Sequence, residues 1–357
     1  MALKRIKKYF LILLGIIFAI IIGYIIYLFA TYYRLPNYQT LAASNKQSTL
    51  LKPKCEYRAM TYNIGYGSYP PSYSFFMDGG KLSVAYSKKS VRQSIAGVTS
   101  TTKKVDPDFA FYQEIDTNGD RSQHVNEVNL VTKHLTNYGS VFGQNYDSPY
   151  LFYPFTHPIG KARSGLLTLT KANVVNASRH SLPIATDLSK FTDLDRAFTV
   201  TKSRVSNGKY FLMVNIHMSA YTKDKSIQNA QFKKLFTFIQ DEYQKGNYVL
   251  VAGDYNHAIL KNSSKIFKTS TPKLTWTNPF PKNKLPNDFY IPTMGLKQAA
   301  TPSVRNLNQP YKKGRTFVTM IDGYILSKNI SAKKIHVHNT EFKYSDHNPV
   351  VLDFELK

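Results

Sequence analysis

Residues 9–30, YFLILLGIIFAIIIGYIIYLFA, carry no charge, and nothing later in the 357-residue chain resembles them. As a helix, such a run crosses about 30 Å of hydrocarbon, so it stands apart from any water-soluble core. Lys4, Arg5, Lys7 and Lys8 precede it and only Arg34 follows closely. That asymmetry predicts a cytoplasmic basic tail (1–8), a transmembrane helix (9–30) and a translocated body, giving a single-pass protein of the cell membrane with its domain extracytoplasmic. A cleavable signal peptide shares the charged start and apolar middle. The run is longer than the usual signal core of about 7–15 residues, and no convincing small-residue cleavage site follows, so an uncleaved anchor is expected.

Residues 31–54 are polar, without periodicity, and read as a linker. Residues 55–357 have the length of one large domain or two small ones, with no internal repeat. Cys55 is the only cysteine, which excludes an intrachain disulfide and a multi-cysteine zinc site. The net charge is +25, of which the five cations up to Arg34 supply five, leaving +20 on the outer part. Such a body is drawn to polyanions such as nucleic acid, anionic headgroups or wall polymers, although surface lysines also serve solubility alone.

Short apolar runs at 57–65, 108–115, 165–171, 196–205, 210–219, 248–256, 320–327, 334–342 and 349–356 read as strands. Helices are expected at 87–104, 122–135 and 225–244, the last ending in Lys245-Gly246-Asn247. Residues 260–318, rich in Lys, Pro, Asn and Thr, read as long loops. The pattern predicts an α/β fold, a sandwich of two packed mixed sheets flanked by helices.

Polar residues recur at the strand ends: Asn63 after MTY, Glu114 after DFAFYQ, His217 in VNIHMS, Asp254 and Asn256 in VLVAGDYN, Asp322 in TMIDGYIL, and Asp346-His347 in YSDHNPVV. Singly, each is more often a solvated strand end, a hydrogen-bonded core histidine or a turn. Together they suit phosphoester hydrolysis. Glu114, with Asn63 and Asp346, offers the oxygen ligands a hard cation such as Mg²⁺ needs. His347 oriented by Asp322 could take a proton from water. Asp254 and Asn256 could hold that water and a phosphate oxygen in line, and His217 could donate to the phosphate.

The ordered set NIG, QE, NIHMS, GDYN, IDGYIL and SDHNPV resembles the endonuclease/exonuclease/phosphatase superfamily across residues 55–357. The resemblance implies a four-layer α/β sandwich after the N-terminal helix and a metal-dependent phosphoric ester hydrolase. It implies Glu114 as the main Mg²⁺ ligand (Mn²⁺ as a substitute) beside Asn63, with Asp346 at the metal. It further implies Asp254 and Asn256 as nucleophile- and phosphate-positioning groups, His217 as the phosphate-contacting or general-acid histidine, and Asp322 orienting His347. Where some family nucleases carry an acidic residue two positions after the first asparagine, this chain has Gly65, which weakens a second ligand there. A histidine at 217, where abasic endonucleases have tyrosine, points to the deoxyribonuclease, sphingomyelinase and 5-phosphatase side.

Three other stretches are open. SFFMDGGK (74–81) could form a substrate-facing loop or only a Gly-Gly turn. Arg163 is a candidate phosphate contact against a solvated arginine, and Arg196 could pair with Asp193 or Asp195 or face substrate. No aromatic hairpin for dipping into a bilayer stands out. The expected substrate is a polyanionic phosphoester, nucleic acid or phospholipid headgroup, met by a membrane-tethered enzyme with no protein partner implied. The alternative is a non-catalytic, tethered polyanion-binding module on the same fold, which predicts decay of one or more of the essential polar residues.

Overall fold

In a computed structural model, which describes residues 2–44, 47–191, 193–220, 225–269 and 278–357, the apolar β-runs assemble into two seven-stranded sheets. The first sheet runs Tyr38–Thr40, Val174–Ser181, Ala197–Arg204, Tyr210–His217, Tyr248–Asp254, Asp322–Ser327, Phe289–Tyr290. The second runs Ile330–Val337, Val350–Leu356, Glu56–Asn63, Phe109–Gly119, Ala162–Thr170, Gly139–Asp147, Ala43–Ser44. Both are mixed: Tyr248–Asp254 runs parallel to Tyr210–His217, and Glu56–Asn63 parallel to Phe109–Gly119, among antiparallel neighbours.

Their inner faces meet in one apolar layer, with Phe109 and Phe354 from one sheet against Phe211, Met213 and Tyr324 from the other. The helix Lys88–Val105 covers the outside of the second sheet through Val91, Ile95 and Val98. The helix Lys225–Gln244 covers the first through Phe232, Leu235 and Ile239. This is the expected α/β sandwich, each sheet burying one face on the other and one under a helix. Ser87 starts the first of these helices, its hydroxyl accepting from the Ser90 amide in a reciprocal cap.

Two long strands escaped the sequence reading, along with the two- and three-residue ones. Gly139–Asp147, with two glycines, and Val174–Ser181, with five polar residues in eight, carry a weak apolar signal, yet both pair along nearly their whole length, each with one irregularity in its ladder. A Cβ at Gly143 would sit 2.3 Å from Thr199 Cγ2, so this strand is glycine-bearing because the sheets close on it. The expected strand at 334–342 instead spans Ile330–Val337, and the helix expected at 122–135 spans Glu127–His134. The loop stretch 260–318 contains short pieces, among them Ser263–Phe267 and Leu296–Ala299, while its residues 270–277 lie outside the described residues.

Residues 31–54, read as a linker, are tied to both sheets. Tyr38–Thr40 pairs with the edge strand Val174–Ser181, and Ala43–Ser44 with Gly139–Asp147. Further along, Leu51 bridges Val205. The N-terminal helix Ala2–Thr31 is long and apolar enough over Leu3–Thr31 to cross a membrane. Its C-terminal end docks on the domain. Tyr24 Oη donates to the Tyr150 carbonyl at 3.1 Å, Tyr27 Oη accepts from the Tyr150 amide at 3.0 Å, and Phe29 and Tyr32 pack edge-on to Phe191.

Candidate active site

Sheet register sets the core of the site. Asp254 is level with His217 on one side and with Asp322 on the other, so three polar residues from distant sequence positions stand abreast on adjacent strands. The strand before them is wholly buried, which fixes the register because a one-residue slip would turn apolar side chains outward. Gly253 makes the approach feasible: its φ is 153°, and a Cβ there would lie 2.0 Å from the Ile216 carbonyl oxygen. Asn256 follows at φ 49°, a left-handed conformation asparagine tolerates. Its side-chain amide donates to the Met218 carbonyl at 2.7 Å and its backbone N–H to Asp254 Oδ1 at 2.8 Å. Asn256 thus braces Asp254 against the end of the His217 strand.

The second sheet brings its own set to the same edge. In its ladder, Tyr112 faces Leu167 and Ile115 faces Gly165, so Gln113 and Glu114 together oppose Leu166. That bulge puts Glu114 at φ 54° and re-aims its carboxylate. Asn63 bridges the sheets, its Nδ2 donating to Asp254 Oδ2 at 3.0 Å while its Oδ1 accepts from Gly65 N at 3.0 Å. Gly65, at φ 55°, has room for no side chain: a Cβ would meet Asp346 Oδ1 at 2.9 Å. The segment carrying Asp346-His347 is pinned by Asn348, whose side-chain oxygen accepts from the Thr340 amide and hydroxyl, and by Ser345, whose hydroxyl donates to the Asn63 carbonyl.

These side chains converge on one cleft of about 530 Å³, lined by Glu114, His217, Asp254, Asn256, Asp346 and His347 among others. His347 Nδ1 donates to Asp322 Oδ2 at 2.9 Å, and its Nε2 lies 3.8 Å from Asp254 Oδ2 and 3.9 Å from Asp346 Oδ2. Burial works against a charge on His347, but Asp322, Asp346 and Asp254 overcome it and hold its pKa up at about 10. His217 Nε2 stands 3.6 Å from Glu114 Oε1 and 3.7 Å from Asp254 Oδ2. Burial, then Arg196 and His347, push its pKa well below the ordinary value, so His217 is neutral, a hydrogen-bond donor rather than a proton source.

Burial and the Asp346 charge raise Glu114 to about 8, and burial with Asp322 raises Asp254 to about 7. Carboxylates that must borrow protons to coexist form a site with surplus negative charge. Their hard oxygens suit a divalent cation of the Mg²⁺ type. Glu114 keeps 18 % of its side-chain surface open to the cleft against 2 % for Asp254, and is the better placed to take a ligand. Asp254, Asp322 and His347 also offer atoms within 4.8 Å of one another. The 2.9 Å His347–Asp322 contact already occupies one atom of each in a hydrogen bond.

Arg163 is the candidate the structure leaves apart. It pairs with Asp147 at 3.1 Å, half-exposed, and does not line the cleft. Arg196 lines the cleft while donating to the Met218 carbonyl and to Asp193 at 3.0 Å. The SFFMDGGK stretch faces the cleft through Phe75, Phe76, Met77 and Asp78.

The sequence reading missed Arg121. It lies 3.3 Å above the Tyr66 ring, forked onto Asp116 at 2.9 and 3.2 Å. Asp116 and Arg121 follow Glu114 closely in IDTNGDR, and that proximity was the available signal. Asn215 was missed too: it accepts from Gln113 at 2.7 Å and donates to the Tyr112 carbonyl, a polar tie between sheets just beneath the site.

Solved structures share this architecture at low sequence identity. One is an endonuclease/exonuclease/phosphatase from Beutenbergia cavernae DSM 12333, with TM-score 0.55, 13% identity and coverage of 84% of this chain and 72% of that one. A second is TDP2 from Caenorhabditis elegans, with TM-score 0.51, 14% identity and coverage of 85% and 75%. A third is the catalytic domain of human Nocturnin with a bound sulfate anion, with TM-score 0.51, 16% identity and coverage of 89% and 98%. No family model matches the chain, and no curated protein does.

Proposed function

We propose, on the premise that this chain has the endonuclease/exonuclease/phosphatase fold, that it is a membrane-tethered, Mg²⁺-dependent phosphoric ester hydrolase acting on a phosphodiester outside the cytoplasmic membrane. The observation that carries this reading is the His347–Asp322 pair opening on the cleft that Glu114, Asp346 and Asp254 line. The fold supports the reaction class, and the docked N-terminal helix, with its basic tail, supports the tether.

Glu114, with Asp346 and Asn63 beside it, would hold the cation. When bound, Mg²⁺ (or Mn²⁺ in its place) supplies positive charge to the phosphate oxygens. The chain's own residues do the rest. Asp322 fixes the His347 ring through Nδ1 and leaves Nε2 to exchange a proton with water or the leaving oxygen. His347 Nε2, 3.8 Å from Asp254 Oδ2 and 3.9 Å from Asp346 Oδ2, stands where a proton can pass between the imidazole and the water that Asp254 orients. Asp254, braced by Asn63 and Asn256, orients the attacking water. Neutral His217 donates toward a phosphate oxygen.

Hydrolysis of bis(p-nitrophenyl) phosphate by the full-length protein, with Mg²⁺ or a chelator, tests the assignment. We expect metal-dependent turnover that falls by on the order of 10³-fold in His347→Ala. A folded, Mg²⁺-binding protein without turnover would leave a phosphate-binding module.

A further inference from the structure

Building on the phosphoesterase reading, we propose that the cleft draws its substrate from the bilayer: a membrane lipid whose headgroup is joined through a phosphodiester. The first observation is that the membrane-type helix forms part of the cleft wall. Tyr24 lines the same cavity as Glu114 and His347. Counting 1.5 Å per residue from Lys8, about 30 Å of hydrocarbon ends near residue 28. Tyr24 and Tyr27 therefore stand at the outer boundary, where tyrosines settle. Lys190, over the rings of Phe29 and Tyr32, sits where a cation reaches headgroups.

The second observation is the hairpin these tyrosines hold. Leu151 and Gly160 exchange backbone hydrogen bonds at 3.1 Å, closing a loop whose tip exposes Phe152, Tyr153 and Phe155 by 49, 62 and 83%. It is an aromatic hairpin of the kind that did not stand out in the sequence, and it stands beside the helix: Phe152 packs on Tyr24 at 5.2 Å. Exposed aromatics grouped against a membrane-type helix cost least in the interfacial layer.

The third observation is what lies between tip and site. Tyr153 meets Phe76 at 5.7 Å, Phe76 meets Phe75 at 5.0 Å, and Phe75 meets Tyr69 at 5.6 Å, an unbroken aromatic wall leading inward. Tracking a nucleic-acid backbone calls for free cations along the groove. Among the described residues no lysine lines this cleft, and its arginines are engaged: Arg121 by Asp116, Arg196 by Asp193, and Arg305 by the Tyr69 and Pro70 carbonyls. The wall suits acyl chains and the floor a phosphate. In the reaction, water adds hydroxyl to phosphorus and the P–O bond to one alcohol breaks. That alkoxide takes the water's other proton, giving a phosphomonoester and an alcohol.

The experiment places the full-length protein in vesicles of phosphatidylethanolamine and phosphatidylglycerol, following new phosphomonoester by ³¹P NMR, beside bis(p-nitrophenyl) phosphate in solution. Phe155 lies outside the cleft lining. We expect Phe155→Ser to lower lipid hydrolysis about tenfold with the soluble rate unchanged, and Phe155→Leu to restore it. Independently of catalysis, Phe155→Trp in a Trp276→Phe background should be quenched by brominated phosphatidylcholine. Soluble hydrolysis without lipid hydrolysis, equal losses on both probes, or an unquenched tryptophan would overturn the inference while sparing the phosphoesterase reading. Faster nicking of supercoiled plasmid would assign nucleic acid instead. If neither probe were cleaved, the phosphoesterase reading would fall, and quenching would still decide whether the hairpin meets the bilayer.

Discussion

Glu114 and Asp254 differ from ordinary carboxylates because they share a confined space. Both have folded pKa values above the usual carboxylate range, about 8 and about 7. The sign follows from linkage: a group that holds its proton more tightly when folded contributes stability at low pH and loses it as pH rises through the folded pKa. The metal-free protein should therefore lose stability between about pH 4 and pH 8 from these two groups. His347, raised to about 10, adds a loss of the same sign from its ordinary value of 6.5 upward. Mg²⁺ takes the place of the carboxyl protons, so the rise in melting temperature on adding it should be larger at about pH 8 than at about pH 5.5. Glu114→Gln should abolish most of that rise, and thermal melts with chelator or Mg²⁺ at the two pH values would show it. Asp322→Asn should leave the fold intact and cut turnover of bis(p-nitrophenyl) phosphate by about 10²-fold or more, because the amide carries no charge to support the imidazolium and can turn its NH2 to Nδ1, fixing the other tautomer.

The strands do what no single residue could. GDYN was legible because a fully apolar strand ending in a carboxylate is conspicuous, and its register neighbours, NIH and IDG, carry the same mark. SDHNP was legible for its own polar cluster before an apolar run. The bulge that turns Glu114 inward was not legible, since Gln113-Glu114 reads as an ordinary strand end until its partner strand is known. The aromatic wall was invisible for a different reason: Tyr69, Phe76 and Tyr153 come from separate segments outside the strands and long helices, with no shared period. At this scale Gly253 is the sharpest test. Gly253→Ala must push Ile216 and hence His217 aside, costing about 3 kcal/mol or more in denaturant titrations, and activity with it.

At the scale of the molecule, the N-terminal segment is part of the architecture. Arg34 pairs with Asp195 at 3.0 Å, the Leu35 amide donates to Asp195 at 2.9 Å, and buried Arg179 donates to the Pro36 carbonyl at 3.0 Å. A chain beginning at Cys55 would leave Arg179 short of one acceptor and two sheet edges bare. It should melt lower, by roughly 5 °C or more, than a chain beginning at Leu35, a difference calorimetry would resolve. The sandwich was legible because its apolar runs are short, numerous and β-branched. The strapping of both edges by Tyr38–Thr40 and Ala43–Ser44 was not, because two- and three-residue edge strands leave no pattern in a sequence.

The hydrogen bonds of Tyr24 and Tyr27 to residue 150 have a geometric consequence of their own. A site hung on a loose tether samples a hemisphere of solution, whereas one whose wall is built from the anchor keeps a constant altitude above the helix. In a bilayer, encounters with its substrate would then occur in two dimensions. Turnover would follow the number of target molecules per unit area of surface, indifferent to how much of that surface is suspended in each millilitre.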